Sequence, residues 1–161
     1  MNLSQKLKLD WKIATLTIAS TTLLLLDKYH TFTALKLLDR TILYLFIPLF
    51  VVIFIFRESP TVYGFQLGDW RAGLKLTLGG IILMTPILLW LLHADGTMSS
   101  YYAHLLPGLP WNTFLDLFGW EFFFRGWLLF GYARKFGAEA LWLQAVPFAL
   151  AHAGKPEIET L

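Results

Sequence analysis

The amino-acid sequence predicts an all-α fold, a polytopic bundle of transmembrane helices with four to five spans. Hydrophobic residues make up 57% of the 161 residues and charged residues only 15%, and the mean hydropathy is +0.58. A soluble globular domain has about 45–50% apolar and about 25% charged residues. A small domain keeps much of its surface exposed, so this chain could not hide its apolar surface from water. The composition excludes a soluble enzyme and a disordered chain, and it predicts one integral membrane domain over residues 1–161.

Five apolar stretches are the candidate spans, and they cover residues 13–26, 41–56, 74–92, 112–133 and 138–153. A helix perpendicular to the bilayer needs about 20 residues at about 1.5 Å each. Only the third and fourth stretches reach this length, so the other three need flanking residues or lie partly in the interface. The first stretch follows several lysines, as in a secretory signal, but small residues for a cleavage site are missing. We therefore interpret it as a retained first helix.

The lysines and arginines near the span ends predict a multi-pass protein with its N-terminus inside, in the cytoplasm. With five spans, eight of these residues fall on the N-terminal side of the membrane and four on the opposite side. Cytoplasmic segments carry such an excess of positive charge. The segment 93–111 contains no lysine or arginine and is the clearest outer loop.

Two charged residues, Glu121 and Arg125, lie in the middle of the fourth stretch. A charged side chain at the bilayer centre costs about 2.5–3.5 kcal/mol on insertion scales. At positions i and i+4 the two side chains share one helix face, so they can form an ion pair that reduces this cost. The spacing leaves two interpretations open: an ion pair that orients helices, or a functional carboxylate in a water-accessible cavity of low dielectric constant.

His152 is a second polar residue of interest, at the end of the fifth stretch. A histidine in this position is by itself more often an interfacial residue than a functional one. If the fourth stretch begins and the fifth ends at the same membrane face, the Cα atoms of Glu121 and His152 differ by roughly 12 Å in depth. A tilted fourth helix or a longer fifth helix would reduce this difference. The two side chains can therefore meet, but the spacing does not require it.

Together the two motifs resemble those of a known family. The run Glu121-Phe-Phe-Phe-Arg125, followed by Phe148-x-x-x-His152, is similar to the first two motifs of the CPBP family. These are the CAAX-protease and bacteriocin-processing intramembrane peptidases, also called the Abi family. The family's first motif is Glu-Glu-x-x-x-Arg on one transmembrane helix, and its second is Phe-x-x-x-His on the next. The resemblance covers residues 112–159.

The resemblance implies an intramembrane endopeptidase that hydrolyses a peptide bond of a peptide or protein substrate without an acyl-enzyme. It implies that Glu121 and His152 are the catalytic residues and activate a water molecule. Arg125 would orient the glutamate, and Phe148 belongs to the supporting residues. The lipid bilayer is the other expected partner, and no cofactor is implied.

The chain departs from the family pattern in two places. Trp120 stands where the family has its first glutamate, which is usually assigned to activating water, so Glu121 matches the second glutamate. The third motif, His-x-x-x-Asn or Asp, does not occur, and the chain therefore resembles the front part of a longer family core. Its tail resembles an extension seen in part of the family, which makes Glu159 a candidate for the carboxylate missing at Trp120.

Other classes of function have less support in the sequence. The chain has no cysteine and no His-Glu-x-x-His motif, so no metal site is predicted. A net charge of +2 does not indicate a nucleic-acid partner. Two alternatives stay open. One is a catalytically silent CPBP-like membrane scaffold or binding protein, which Trp120 and the missing third motif favour. The other is a small carrier or channel subunit that uses Glu121 as a proton or cation site.

Overall fold

The computed structural model describes residues 9–94, 96, 100, 103 and 110–153, and it contains no β-strand in these parts of the chain. The all-α prediction is therefore confirmed. The long helices are α1 (Trp11–Tyr29), α2 (Lys36–Ile55), α3 (Trp70–Ala94) and α4 (111–136), and a shorter helix, α5 (Ala140–Ala151), follows. Short 3₁₀ turns, Pro60–Tyr63 and Gly137–Glu139, precede α3 and α5.

Two of these helices are long and apolar enough to cross a membrane. They are Lys36–Ile55, with 20 residues, and Trp70–Leu91, with 22 residues. Helix α1 has 19 residues, close to the required length, but it carries charged residues in its first and last turns. Helix α5 has only 12 residues, or about 18 Å, against a hydrocarbon core of about 30 Å. The number of four to five spans stays a prediction.

Helix α4 changes its hydrogen-bond pattern in the middle. Its two ends, Trp111–Glu121 and Gly131–Phe136, are α-helical, whereas Phe122–Phe130 between them is π-helical. Helix α2 contains two shorter π-helical segments. A π-helical turn is rare and is often found at functional sites. The long π segment of α4 begins directly after Glu121, the residue that the sequence analysis selected.

The chain folds into two compact units. The first unit comprises Met1–Phe65 and Leu115–Ala151, and it contains α1, α2, α5 and most of α4. The second comprises Gln66–Phe114 and His152–Leu161 and contains α3. In the first unit, apolar side chains of α1, α2 and the π segment of α4 form a hydrophobic core. Of the candidate site residues that the structure describes, all except His152 belong to the first unit.

Trp127 lies at the centre of this core. Its side chain is fully buried, and its indole Nε1 donates a hydrogen bond of 2.7 Å to Ser20 Oγ on α1. The indole also stacks on Phe56 with ring centroids 5.6 Å apart. The neighbouring Gly126 allows close packing here, since a Cβ atom would lie 2.7 Å from the carbonyl oxygen of Tyr63. Helix α4 is thereby fixed against α1 and the 3₁₀ turn.

Charged side chains of the first unit form two clusters at opposite ends of α1. The Glu58 cluster, at the start of α1, consists of Asp10, Lys12, Glu58, Arg134 and Lys135. The Asp27 cluster, at the end of α1, consists of Asp27, Lys36, Arg40 and Asp116. Along the helices the clusters are separated by 15 residues on α1 and 18 on α4, which corresponds to about 22–27 Å. In the helical stretches between them, Glu121 and Arg125 are the only charged residues.

Candidate functional site

Glu121 and Arg125 form the ion pair that their spacing predicts. Glu121 is the last residue of the first α-helical part of α4, and Arg125 lies in the π segment that follows. Arg125 Nη1 donates to Glu121 Oε1 at 2.7 Å. The Glu121 side chain is 49% exposed and the Arg125 side chain is 51% exposed. The carboxylate therefore lies at the surface of the first unit although its helix packs against the core.

Phe148 on α5 lies beside this ion pair. The guanidinium carbon of Arg125 is 5.2 Å from the centre of the Phe148 ring, which is within the range of a cation–π interaction. Phe124 of α4 also meets Phe148 edge to face, with ring centroids 5.2 Å apart. Residues from the two sequence motifs are therefore in contact where α4 packs against α5.

Trp120 occupies an aromatic cluster next to the ion pair. Its ring centroid lies 5.5 Å from that of Tyr44 on α2, 4.8 Å from that of Phe124 and 6.4 Å from that of Phe148. Such edge-on and tilted contacts stabilise aromatic pairs. The position at which the CPBP motif has its first glutamate therefore serves packing between helices in this chain.

Two further residues, His152 and Glu159, were predicted for the site. His152 directly follows Ala151, the last residue of α5, and belongs to the second compact unit. Its pairing with Glu121 stays a prediction. Glu159 lies outside the described residues, so its suggested role stays a prediction as well. The structure thus brings together Glu121, Arg125 and Phe148.

A second carboxylate, Glu58, was not selected by the sequence analysis. It accepts hydrogen bonds from Lys12 Nζ at 2.6 Å, Tyr63 Oη at 2.7 Å and Arg134 Nη2 at 2.7 Å. The hydrogen bonds from Arg134 contribute most to holding the pKa of Glu58 at about 2, well below the usual range of a glutamate. The donors lie 46, 5 and 76 positions away in the sequence, so no local pattern predicts this group.

The same contacts shift the pKa values of Tyr63 and Arg134. Burial raises the pKa of the Tyr63 phenol, and its hydrogen bond to Glu58 raises that pKa further. The pKa of Arg134 is also raised, chiefly by its hydrogen bonds to Glu58. All three side chains therefore keep their usual charge states near neutral pH. The arrangement is that of a structural ion pair that joins α1, the 3₁₀ turn and the end of α4.

The described part of the chain contains no group of three or more His, Asp or Glu residues placed to hold a metal ion. No protein-family model matches the chain, and no curated protein or solved structure is significantly similar to it. The resemblance to the CPBP family therefore continues to depend on the motif residues Glu121, Arg125, Phe148 and His152.

Proposed function

We propose that the chain is a CPBP-type intramembrane endopeptidase that hydrolyses a peptide bond with water activated by a carboxylate and a histidine. The observation on which this proposal depends is the contact between the two motifs. Arg125 of the first motif pairs with Glu121 and lies against Phe148 of the second motif. Phe148 precedes His152 by four residues, and His152 directly follows α5, so the i,i+4 spacing supports placing the histidine on the same face as Phe148.

The proposal includes a multi-pass arrangement with the N-terminus in the cytoplasm. In the first unit, the Glu58 cluster joins the start of α1, the end of α2 and the end of α4. These three ends would lie at one membrane face if α1 to α4 crossed the membrane in turn. The clusters at the two ends leave an apolar layer of about 22–27 Å, close to the thickness of a hydrocarbon core. The excess of lysines and arginines, eight against four near the span ends, supports a cytoplasmic assignment for the end that carries the Glu58 cluster.

In the proposed reaction, Glu121 is the general base. One carboxylate oxygen accepts the hydrogen bond from Arg125, and the other is able to take a proton from water as the hydroxide attacks the peptide carbonyl carbon. His152 orients this water, and the proton that Glu121 has taken up passes through His152 to the leaving amine when the C–N bond breaks. Arg125 is a positioning residue that fixes the carboxylate. In the family, the third motif supplies oxyanion donors, and loss of such a donor typically lowers the rate by about 10²–10³-fold.

The test is peptide cleavage by the chain reconstituted in lipid vesicles, with a library of internally quenched peptides as the probe. Glu121→Gln and His152→Ala should each lower the cleavage rate by about 10²–10⁴-fold, since each removes a proton-transfer group. Glu139→Gln and His30→Ala are matched controls at exposed positions outside the motifs, and they should cleave at the rate of the unchanged chain. A full rate in either motif variant would refute the mechanism.

The second candidate function is a catalytically silent membrane scaffold or binding protein built on the same helices. The packing of Trp120 between Tyr44 and Phe148 favours it, because an aromatic side chain at this position cannot activate water. The same assay distinguishes the two candidates. A folded and inserted chain that cleaves none of the peptides would favour the scaffold, whereas cleavage that depends on Glu121 would exclude it.

A further inference from the structure

A cleft of about 170 Å³ opens beside the Glu58 cluster in the first unit. Its apolar wall includes Leu16 of α1 and Phe56, which follows α2, and both side chains are buried. Its polar rim includes the side chains of Asp10, Lys12, Arg134 and Lys135. The cleft therefore combines an apolar wall with a charged opening, as a site for an amphiphilic ligand would.

The charged side chains at the opening differ in how close their partners lie. Glu58 is neutralised by Arg134 and Lys12 at short distances. Asp10 accepts hydrogen bonds from the backbone N–H groups of Lys12 and Ile13 at the start of α1. Lys135 Nζ lies 3.5 Å from Asp10 Oδ2, and these two side chains are 42% and 39% exposed. With three cations and two carboxylates, the opening has one excess positive charge, and Lys135 is its most weakly held cation.

The position of the cleft along α1 indicates the kind of ligand that it would bind. It lies at the start of the helix, where the apolar layer ends. Trp11 is 51% exposed there and meets Phe56 edge to face at 5.4 Å. Exposed tryptophans are enriched at the headgroup level of membrane proteins, and basic pockets between helices on the cytoplasmic side bind lipid phosphates. A negative headgroup with an attached apolar chain matches both the excess positive charge of the opening and the exposed Trp11 beside it.

We propose that this cleft binds an anionic phospholipid, with Lys135 and Lys12 contacting the phosphodiester and the exposed Trp11 beside the cleft contacting the adjoining acyl chain. The proposal rests on the membrane placement in the proposed function and is independent of the peptidase chemistry. It commits to a lipid as the source of the phosphate, because inorganic phosphate would make no contact with Trp11.

The experiment is native mass spectrometry of the full chain, released from neutral detergent micelles that contain phosphatidylglycerol and phosphatidylcholine in equal amounts. The unchanged chain should retain phosphatidylglycerol in preference to phosphatidylcholine. Lys135→Gln should lower this preference about fivefold, the effect of one basic residue at a lipid surface. Asp10→Asn keeps a side chain that can cap α1 and removes a competing negative charge, so it should raise the preference by a similar factor. Lys28→Gln removes the same charge from the opposite end of α1 and should leave the preference unchanged.

Lipid binding predicts that Lys135→Gln lowers the preference for phosphatidylglycerol and that Asp10→Asn raises it. A purely structural role of this ion pair predicts weaker retention in both variants. Parallel losses, equal effects of Lys135→Gln and Lys28→Gln, or complete displacement of phosphatidylglycerol by inorganic phosphate would each overturn the proposal. Recovery of the chain outside the membrane fraction would refute the membrane placement as well. Loss of peptide cleavage alone would leave the lipid site unaffected.

Discussion

Glu58 and Glu121 are both glutamates paired with an arginine, but their surroundings differ in two measurable respects. Glu58 is 16% exposed and accepts hydrogen bonds from three side chains, Lys12, Tyr63 and Arg134. Glu121 is 49% exposed and accepts one, from Arg125, among the described residues. An ionised carboxylate has about four acceptor positions. Glu58 uses most of these positions within the protein, whereas Glu121 has acceptor positions left for water.

This difference indicates which carboxylate can take part in chemistry. A general base must keep a lone pair available for the proton that it removes, and its pKa must allow it to hold that proton. Glu58, with its pKa at about 2, is a poor base near neutral pH. Its contacts join three segments that are distant in sequence, as a structural group does. Glu121 is half exposed, and Arg125 is its one side-chain hydrogen-bond partner among the described residues, as the proposed role of a base requires.

The largest expected effect on stability comes from removing the charge of Glu58. Glu58→Gln should lower the free energy of unfolding by about 2–3 kcal/mol, because Lys12 and Arg134 lose a charged acceptor. Glu121→Gln should lower it less, by about 1 kcal/mol, because only one side-chain hydrogen bond among the described residues, from Arg125, loses its charged acceptor. Denaturant titration in neutral detergent micelles, followed by tryptophan fluorescence, measures both changes. Equal losses in the two variants would refute the distinction between a structural and a reactive carboxylate.

Low pH should produce a gradual loss through the same group. The pKa of Glu58 in the folded chain, at about 2, lies below its ordinary value of 4.5, so the stabilisation is present above about pH 4.5. It should disappear progressively as the pH falls from about 4.5 to about 2 and Glu58 takes up a proton. Unfolding midpoints measured across this interval should fall for the unchanged chain more steeply than for Glu58→Gln. Identical slopes would show that other carboxylates account for the acid sensitivity.

The sequence predicts those features of the structure that depend on composition and local spacing. The all-α fold follows from apolar content, and the Glu121–Arg125 pair follows from i,i+4 geometry on one helix. Helix ends were less predictable. The first stretch, 13–26, extends to Trp11–Tyr29 because Asp10 caps its start. The fifth stretch, 138–153, shortens to Ala140–Ala151, after a turn at Gly137 with a positive φ of 60°.

The Glu58 cluster could not be predicted because it is a product of tertiary packing. Lys12 and Arg134 are two of the basic residues near the span ends, and Glu58 is a single acidic residue between the second and third apolar stretches. Their contact requires that α1, α4 and the 3₁₀ turn meet at one end of the first unit. That meeting depends on buried contacts such as the Trp127–Ser20 hydrogen bond and the close approach at Gly126. Neither leaves a pattern in the local sequence.

The smallest expected effect is the coupling energy between Glu121 and Arg125, and it tests whether water reaches the carboxylate. A double-mutant cycle with Glu121→Gln and Arg125→Gln should give about 0.3–0.5 kcal/mol, the usual coupling of a solvated i,i+4 pair. The matching cycle with Glu58→Gln and Arg134→Gln should give a larger value, since that carboxylate is mostly buried. A coupling of Glu121 with Arg125 equal to that of the Glu58 pair would mean that the pair is desolvated. The carboxylate would then lack the water that it is proposed to activate, and the general-base role of Glu121 would be untenable even if the ion pair itself were confirmed.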